Sequence, residues 1–265
     1  MSFLNFFKVF FMDWQRSLWK MAACIGILIL GISVFSNIET LFPWERGLPD
    51  VFNMLFIESS LLAFSAPAFL VILFFVLTPL FQPLRIVRFQ KRETLAWTVF
   101  RTVFFTVLIY LAAYFTFGFL FAWLKTGSLQ NTWATKEGTP YLLYKDEIDL
   151  SLFATPYMIL RYGLTEFSAF LFLGLAAAFL YLLSDRYIYA FFLVVGFLIF
   201  DFALHSLFMI SLFLNKAAVR LGTWGDGKDL LGIVLYFFGL SVVLMIGIFI
   251  LLLRKDFLSR SGKKE

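Results

Sequence analysis

The stretch Leu230-Leu-Gly-Ile-Val-Leu-Tyr-Phe-Phe-Gly-Leu-Ser-Val-Val-Leu-Met-Ile-Gly-Ile-Phe-Ile-Leu-Leu-Leu253 contains no charged residue. At 1.5 Å per residue a helix of that length measures about 36 Å, against about 30 Å of bilayer hydrocarbon. Only a transmembrane helix accounts for it. Working back along the chain, five more runs reach or approach the length of a span: 21–37, which is at the short limit, 59–82, 102–124, 162–184 and 187–215. An apolar prelude, 51–57, and Glu58 precede the second. Composition agrees. The chain has 265 residues, 62% hydrophobic and 15% charged, against about 45–50% and about 25% in soluble domains, and its mean hydropathy is +0.89. A soluble globular enzyme and a disordered chain are both excluded. Long continuous apolar runs also exclude a β-barrel, whose strands alternate over about ten residues. The expected fold is all-α: one polytopic membrane domain over 1–265, with six helices between 21 and 253 and a cytoplasmic tail at 254–265.

Residues 1–19 are read as an interfacial helix and not as a cleavable signal peptide, because no small-residue cleavage site follows the apolar run. Phe3, Phe6, Phe7, Phe10, Phe11, Trp14 and Leu18 keep helical spacing, and Lys8, Gln15, Arg16 and Lys20 supply the polar side. Such a helix lies in the headgroup layer with Trp14 and Trp19 at its boundary. With the N-terminus inside, 14 of the 22 Lys and Arg residues fall in inner segments, and the positive-inside rule then places both termini in the cytoplasm. Most acidic residues fall outside, among them Glu39, Glu45, Asp50, Asp146, Glu147 and Asp149. The net charge of +5 is thus explained by the membrane, and no nucleic-acid partner is expected. The longest loop, 125–161, lies outside.

Four polar residues sit in or at the edge of expected spans: Glu58, Glu166, Asp201 and His205. A charge near mid-bilayer costs about 2.5–3.5 kcal/mol on insertion scales, so such groups face the bundle interior and find partners. Asp201 and His205 are four apart and share a helix face. By depth all four reach the outer half of the bundle, where a shared polar pocket is expected. Its readings are helix locking through an Asp–His pair, a substrate path, or a metal site. The zinc-protease pattern His-Glu-x-x-His is absent, His205 is the only histidine and Cys24 the only cysteine. No catalytic residue, metal or cofactor is expected. Gly222-Thr-Trp-Gly-Asp-Gly227-Lys228-Asp229 imitates a phosphate loop, but Asp229 stands where the magnesium-binding hydroxyl belongs, so it is read as a turn. Gly174 and Ala178 have the spacing of a close helix contact. Pro67, Pro79 and Pro83 bend or end the second span. The inner loop Leu84-Arg-Ile-Val-Arg-Phe-Gln-Lys-Arg-Glu-Thr-Leu-Ala-Trp-Thr-Val-Phe-Arg101 alternates cations with apolar residues. It reads as an amphipathic helix, either a lipid anchor or a docking element.

Three segments carry a resemblance to the small membrane subunits of bacterial ABC-2-type transporters, especially those of Gram-positive bacteria. Phe3-Leu-Asn-Phe-Phe-Lys with Asp13-Trp-Gln-Arg-Ser-Leu-Trp-Lys resembles the family's interfacial elbow helix. Arg88-Phe-Gln-Lys-Arg-Glu-Thr-Leu-Ala-Trp with Arg101 is similar to the loop that contacts the ATPase. Tyr157-Met-Ile-Leu-Arg-Tyr-Gly and Leu183-Ser-Asp-Arg-Tyr-Ile-Tyr-Ala are similar to the fourth span and the turn after it. The resemblance implies a permease subunit in the bacterial plasma membrane, with a separate ATPase and a second membrane subunit, identical or different, as partners. Arg88, Lys91, Arg92 and Glu93 would then contact the ATPase, and the cargo would be a peptide, a lipid or a hydrophobic compound. The competing readings are a membrane scaffold or assembly factor, and an intramembrane metal-dependent enzyme.

Overall fold

A computed structural model describes residues 18–36, 47–81, 92–145, 149–219, 221 and 227–254. Every regular element among them is helical. In chain order these are α1 (Leu18–Ser36), the short α2 (Leu48–Asn53), α3 (Glu58–Phe81), α4 (Arg92–Thr126), the short α5 (Thr139–Tyr144), α6 (Thr155–Ser184), α7 (Tyr187–Phe208), the single turn α8 (Leu214–Ala217) and α9 (Gly227–Arg254). Five of them, α3, α4, α6, α7 and α9, are long and apolar enough to cross a membrane. In α1 the apolar segment Cys24–Val34 is shorter. Of the expected interfacial helix, residues 1–17 lie outside the described residues, as do Arg88, Lys91, Pro83, the middle of the glycine turn and the tail from 255.

The central helix is α6, which packs along α9, α7, α4 and α3, while α1 lies against α4 and α3. Only Asp185 and Arg186 separate α6 from α7, with Asp185 in the left-handed region (φ 58°), so the two run antiparallel. Small residues set the closest approaches. A Cβ added at Gly174 would lie 2.7 Å from Val103 Cγ1 and 3.2 Å from Phe69 Cζ, so α6 meets α4 and α3 where the small-residue spacing predicts a close contact. A Cβ at Gly31 of α1 would overlap the Phe64 ring of α3.

Two helices depart from simple spans. Residues 61–65 of α3 form a π-helical turn just before Pro67. Proline has no N–H, and its ring crowds the carbonyl of the residue four before it. A widened turn relieves that crowding and leaves irregular carbonyls. The Tyr110 hydroxyl donates to one of these, the Ser65 carbonyl, at 2.7 Å. α4 has 35 residues, a length of about 52 Å, so it continues past the expected start at 102 as an unbroken helix from Arg92. Leu95, Ala96 and Val99 in this extension are buried, and Glu93, Trp97 and Arg101 form an exposed stripe. The Arg92 guanidinium donates to the Leu253 carbonyl and so ties the extension to the end of α9.

At the opposite end the loop after α4 folds into a cap. Asp50 of α2 accepts from Trp133 Nε1 at 2.7 Å, from Thr139 Oγ1 at 2.6 Å and, through its other oxygen, from Gly47 N–H at 3.0 Å. Asn131 Nδ2 donates to the Phe153 carbonyl at 2.7 Å, just before α6 begins. Trp133 and Phe153 are fully buried within this cap.

Candidate functional site

The fifth expected span, 187–215, ends early. α7 stops at Phe208, Met209 takes the left-handed conformation (φ 57°), and the chain doubles back. Asp201 drives the reversal. It is completely buried. Its Oδ1 accepts from Leu212 N–H at 2.5 Å, and its Oδ2 from Phe213 N–H at 3.1 Å, Leu214 N–H at 2.7 Å and Ser211 Oγ at 3.0 Å. The free N–H groups at a helix start need acceptors, and a carboxylate there also opposes the helix dipole. Asp201 therefore caps α8 from another helix. Val219 N–H then donates to the Phe56 carbonyl at 3.1 Å and fastens the returning chain to the turn before α3.

Asp201 and His205, expected as a pair, thus have different partners. Both Asp201 oxygens are turned to residues 211–214, and His205 Nε2 lies 3.7 Å from Glu58 Oε1 at the start of α3. Asp201 lies about two turns before the end of α7. The His205 and Glu58 side chains keep 15% and 11% of their surface exposed. This pair joins α7 to α3 at the capped end of the bundle.

Glu166 stands in a different setting. It is fully buried, and among the described residues neither carboxylate oxygen has a hydrogen-bond partner. It lies within electrostatic range of the hydroxyls of Tyr110, Tyr114 and Tyr162. Those hydroxyls bind the segment before and within α3: Tyr162 donates to Asn53 Oδ1 at 2.5 Å, Tyr114 to the Leu55 carbonyl at 2.8 Å and Tyr110 to the Ser65 carbonyl at 2.7 Å. Phe56 packs between Tyr162 and Tyr114, with centroids at 4.9 and 5.4 Å, and Phe170 packs on Tyr110 at 5.4 Å. Ser60 and Ser65 are buried on α3 beside the same tyrosines.

Of the four residues expected in one pocket, Glu58 meets His205, Asp201 holds the returning loop, and Glu166 lies among tyrosines. Sequence reasoning singled out Glu166 but not the tyrosines around it. The signal was Tyr110 with Tyr114 and Tyr162 with Glu166, two pairs of polar residues four apart on apolar helices. Among the described residues no three His, Cys, Asp or Glu side chains gather into a metal-binding group. Of the residues expected at an ATPase contact, Arg92 and Glu93 are described and exposed at the start of α4. Comparison with protein-family models, curated proteins and solved structures finds no match to this chain.

Proposed function

We propose that this multi-pass chain is the membrane-spanning subunit of an ATP-driven exporter, working with a separate ATPase and a second membrane subunit. The carrying observation is the α4 extension. It projects beyond the length needed to cross hydrocarbon, its inner face is packed, and Arg92 fixes it to the last turn of α9. A push on the exposed Glu93, Trp97 and Arg101 stripe is passed along a continuous helix to the helices that α4 packs against, among them α1, α2, α3, α6 and α9. That is the mechanical element a nucleotide-driven partner needs. Two further features support the reading. By sequence the expected inner segments carry 14 of the 22 Lys and Arg residues, which the positive-inside rule assigns to the cytoplasm of a bacterial cell, and α7 and α9 leave apolar faces to lipid or a second subunit. In this reading α1 completes six crossings, residues 1–19 lie in the interface, Arg88 and Lys91 extend the docking surface, and Glu58, Asp201 and His205 lie at the outer end of the cargo path. The cargo class is a peptide, a lipid or a hydrophobic compound.

The test is purification of the tagged full chain from its native membrane in mild detergent. Wild type carries an ATP-hydrolysing subunit through purification. The pair Lys91→Glu and Arg101→Glu, the second at an exposed position of α4, releases that activity while thermal unfolding of the membrane chain stays unchanged. A chain that purifies without ATPase activity, or a complex indifferent to both reversals, contradicts the reading.

A further inference from the structure

An ionised carboxylate with no hydrogen bond and no ion pair is not sustained inside an apolar bundle; its charge needs a companion. Glu166 meets that description in this fold. It is 0% exposed, and among the described residues neither oxygen has a donor and no salt bridge reaches it. Its surroundings are rich in oxygen. Tyr110 and Tyr114 approach from α4 and Tyr162 from its own helix, and beside those tyrosines Ser60 precedes the π-helical turn of α3 and Ser65 ends it. The charged groups nearby act on Tyr162: Arg161 on the same helix and Asp50 from α2.

We propose that Glu166 is the binding site for an exchangeable monovalent cation, a proton or Na+. Hydroxyl and carboxylate oxygens are hard donors and suit either. Nothing assigned above uses this residue, and the inference does not depend on the ATPase. A route to the site is also present. Tyr162 donates to Asn53, a half-buried residue of α2, and Asp50 of the same helix is half-buried in the cap. Asn53 and the Tyr162 hydroxyl thus lead from the capped end of the bundle to the buried carboxylate. The π-helical turn adds to the case, because single π turns inside α-helices recur at functional sites.

The experiment uses the full chain in lipid nanodiscs and a hydrophobic carbodiimide, which modifies carboxyl groups that carry a proton in apolar surroundings. The peptide bearing Glu166 is followed by mass spectrometry across mildly acid to mildly alkaline pH, in Na+ and in choline at equal ionic strength. Modification that falls as pH rises, and is equal in both salts, identifies the proton as occupant. Modification suppressed by Na+ but not by choline identifies Na+. In either case the thermal midpoint of the wild type shifts with the same variable, since a ligand bound only by the folded state stabilises it. Glu166→Gln folds and loses that shift. The proposal is overturned if Glu166 is not modified, if its modification ignores both pH and Na+, or if Glu166→Gln keeps the wild-type dependence of the midpoint.

Discussion

Asp201 accepts four hydrogen bonds from the returning loop, three of them from backbone N–H groups. Asp201→Asn replaces one carboxylate oxygen by an NH2 group, which faces donors it cannot satisfy. Hydrogen bonds to a charged acceptor contribute about 1.5–3 kcal/mol, and loss of a helix cap about 0.5–2 kcal/mol. The expected cost is about 2 kcal/mol for Asp201→Asn and about 3 kcal/mol for Asp201→Ala. His205→Ala removes a partly exposed pair and costs less, about 1 kcal/mol or under. Unfolding of the purified variants in detergent checks the order. Equal losses for Asp201→Ala and His205→Ala would indicate that the two act as one unit. Helical spacing put Asp201 and His205 on one face, but spacing on one helix says nothing about what returns to that face. The partners of Asp201 arrive from ten to thirteen residues downstream, where Ser211 and Asn215 were the only polar signals inside the expected span.

At the scale of elements, α6 is fitted to α3 and α4 through Gly174. Gly174→Leu drives a side chain into Val103 and Phe69, and overpacking of this kind costs about 1–3 kcal/mol. Gly196→Leu on α7 is the matched control. Nothing lies within 4 Å of its Cβ position, so the change is neutral or gains up to about 1 kcal/mol of helix propensity. A second prediction concerns the π-helical turn. Tyr110→Phe leaves the buried Ser65 carbonyl without its hydroxyl donor and costs about 1–3 kcal/mol, which thermal unfolding will register together with faster hydrogen exchange in 61–65. Five of the six expected spans were legible, because twenty apolar residues have few alternatives in water or lipid. The π turn was not legible beyond Pro67, since proline predicts a disturbance and the packing of Tyr110 selects its form. The start of α4 at Arg92 was also missed as part of a span. Hydropathy ends a span where charges begin, but helix hydrogen bonds continue wherever one face stays buried, as Leu95, Ala96 and Val99 keep it.

For the whole molecule, the alternation of charge along the chain and the antiparallel order of the long helices lead to the same two ends. Glu58, Thr126, Thr155 and the start of α9 share one end, and Arg92, Arg186 and Arg254 share the other. The cap around Asp50 and Trp133 was not legible, because its hydrogen bonds join residues more than eighty positions apart. The reading as a bundle with a cation-rich cytoplasmic face is tested most directly by the sidedness of single cysteines. In a Cys24→Ser background, Gln130→Cys and Asp229→Cys occupy exposed positions at the capped end, and Glu93→Cys and Arg186→Cys exposed positions at the other. Ser2→Cys reports whether α1 crosses. With a membrane-impermeant maleimide on intact cells, positions 130 and 229 are expected to react at once, and positions 2, 93 and 186 only after permeabilisation. Labelling of 93 or 186 from outside, or of 93 and 130 from the same side, would contradict it.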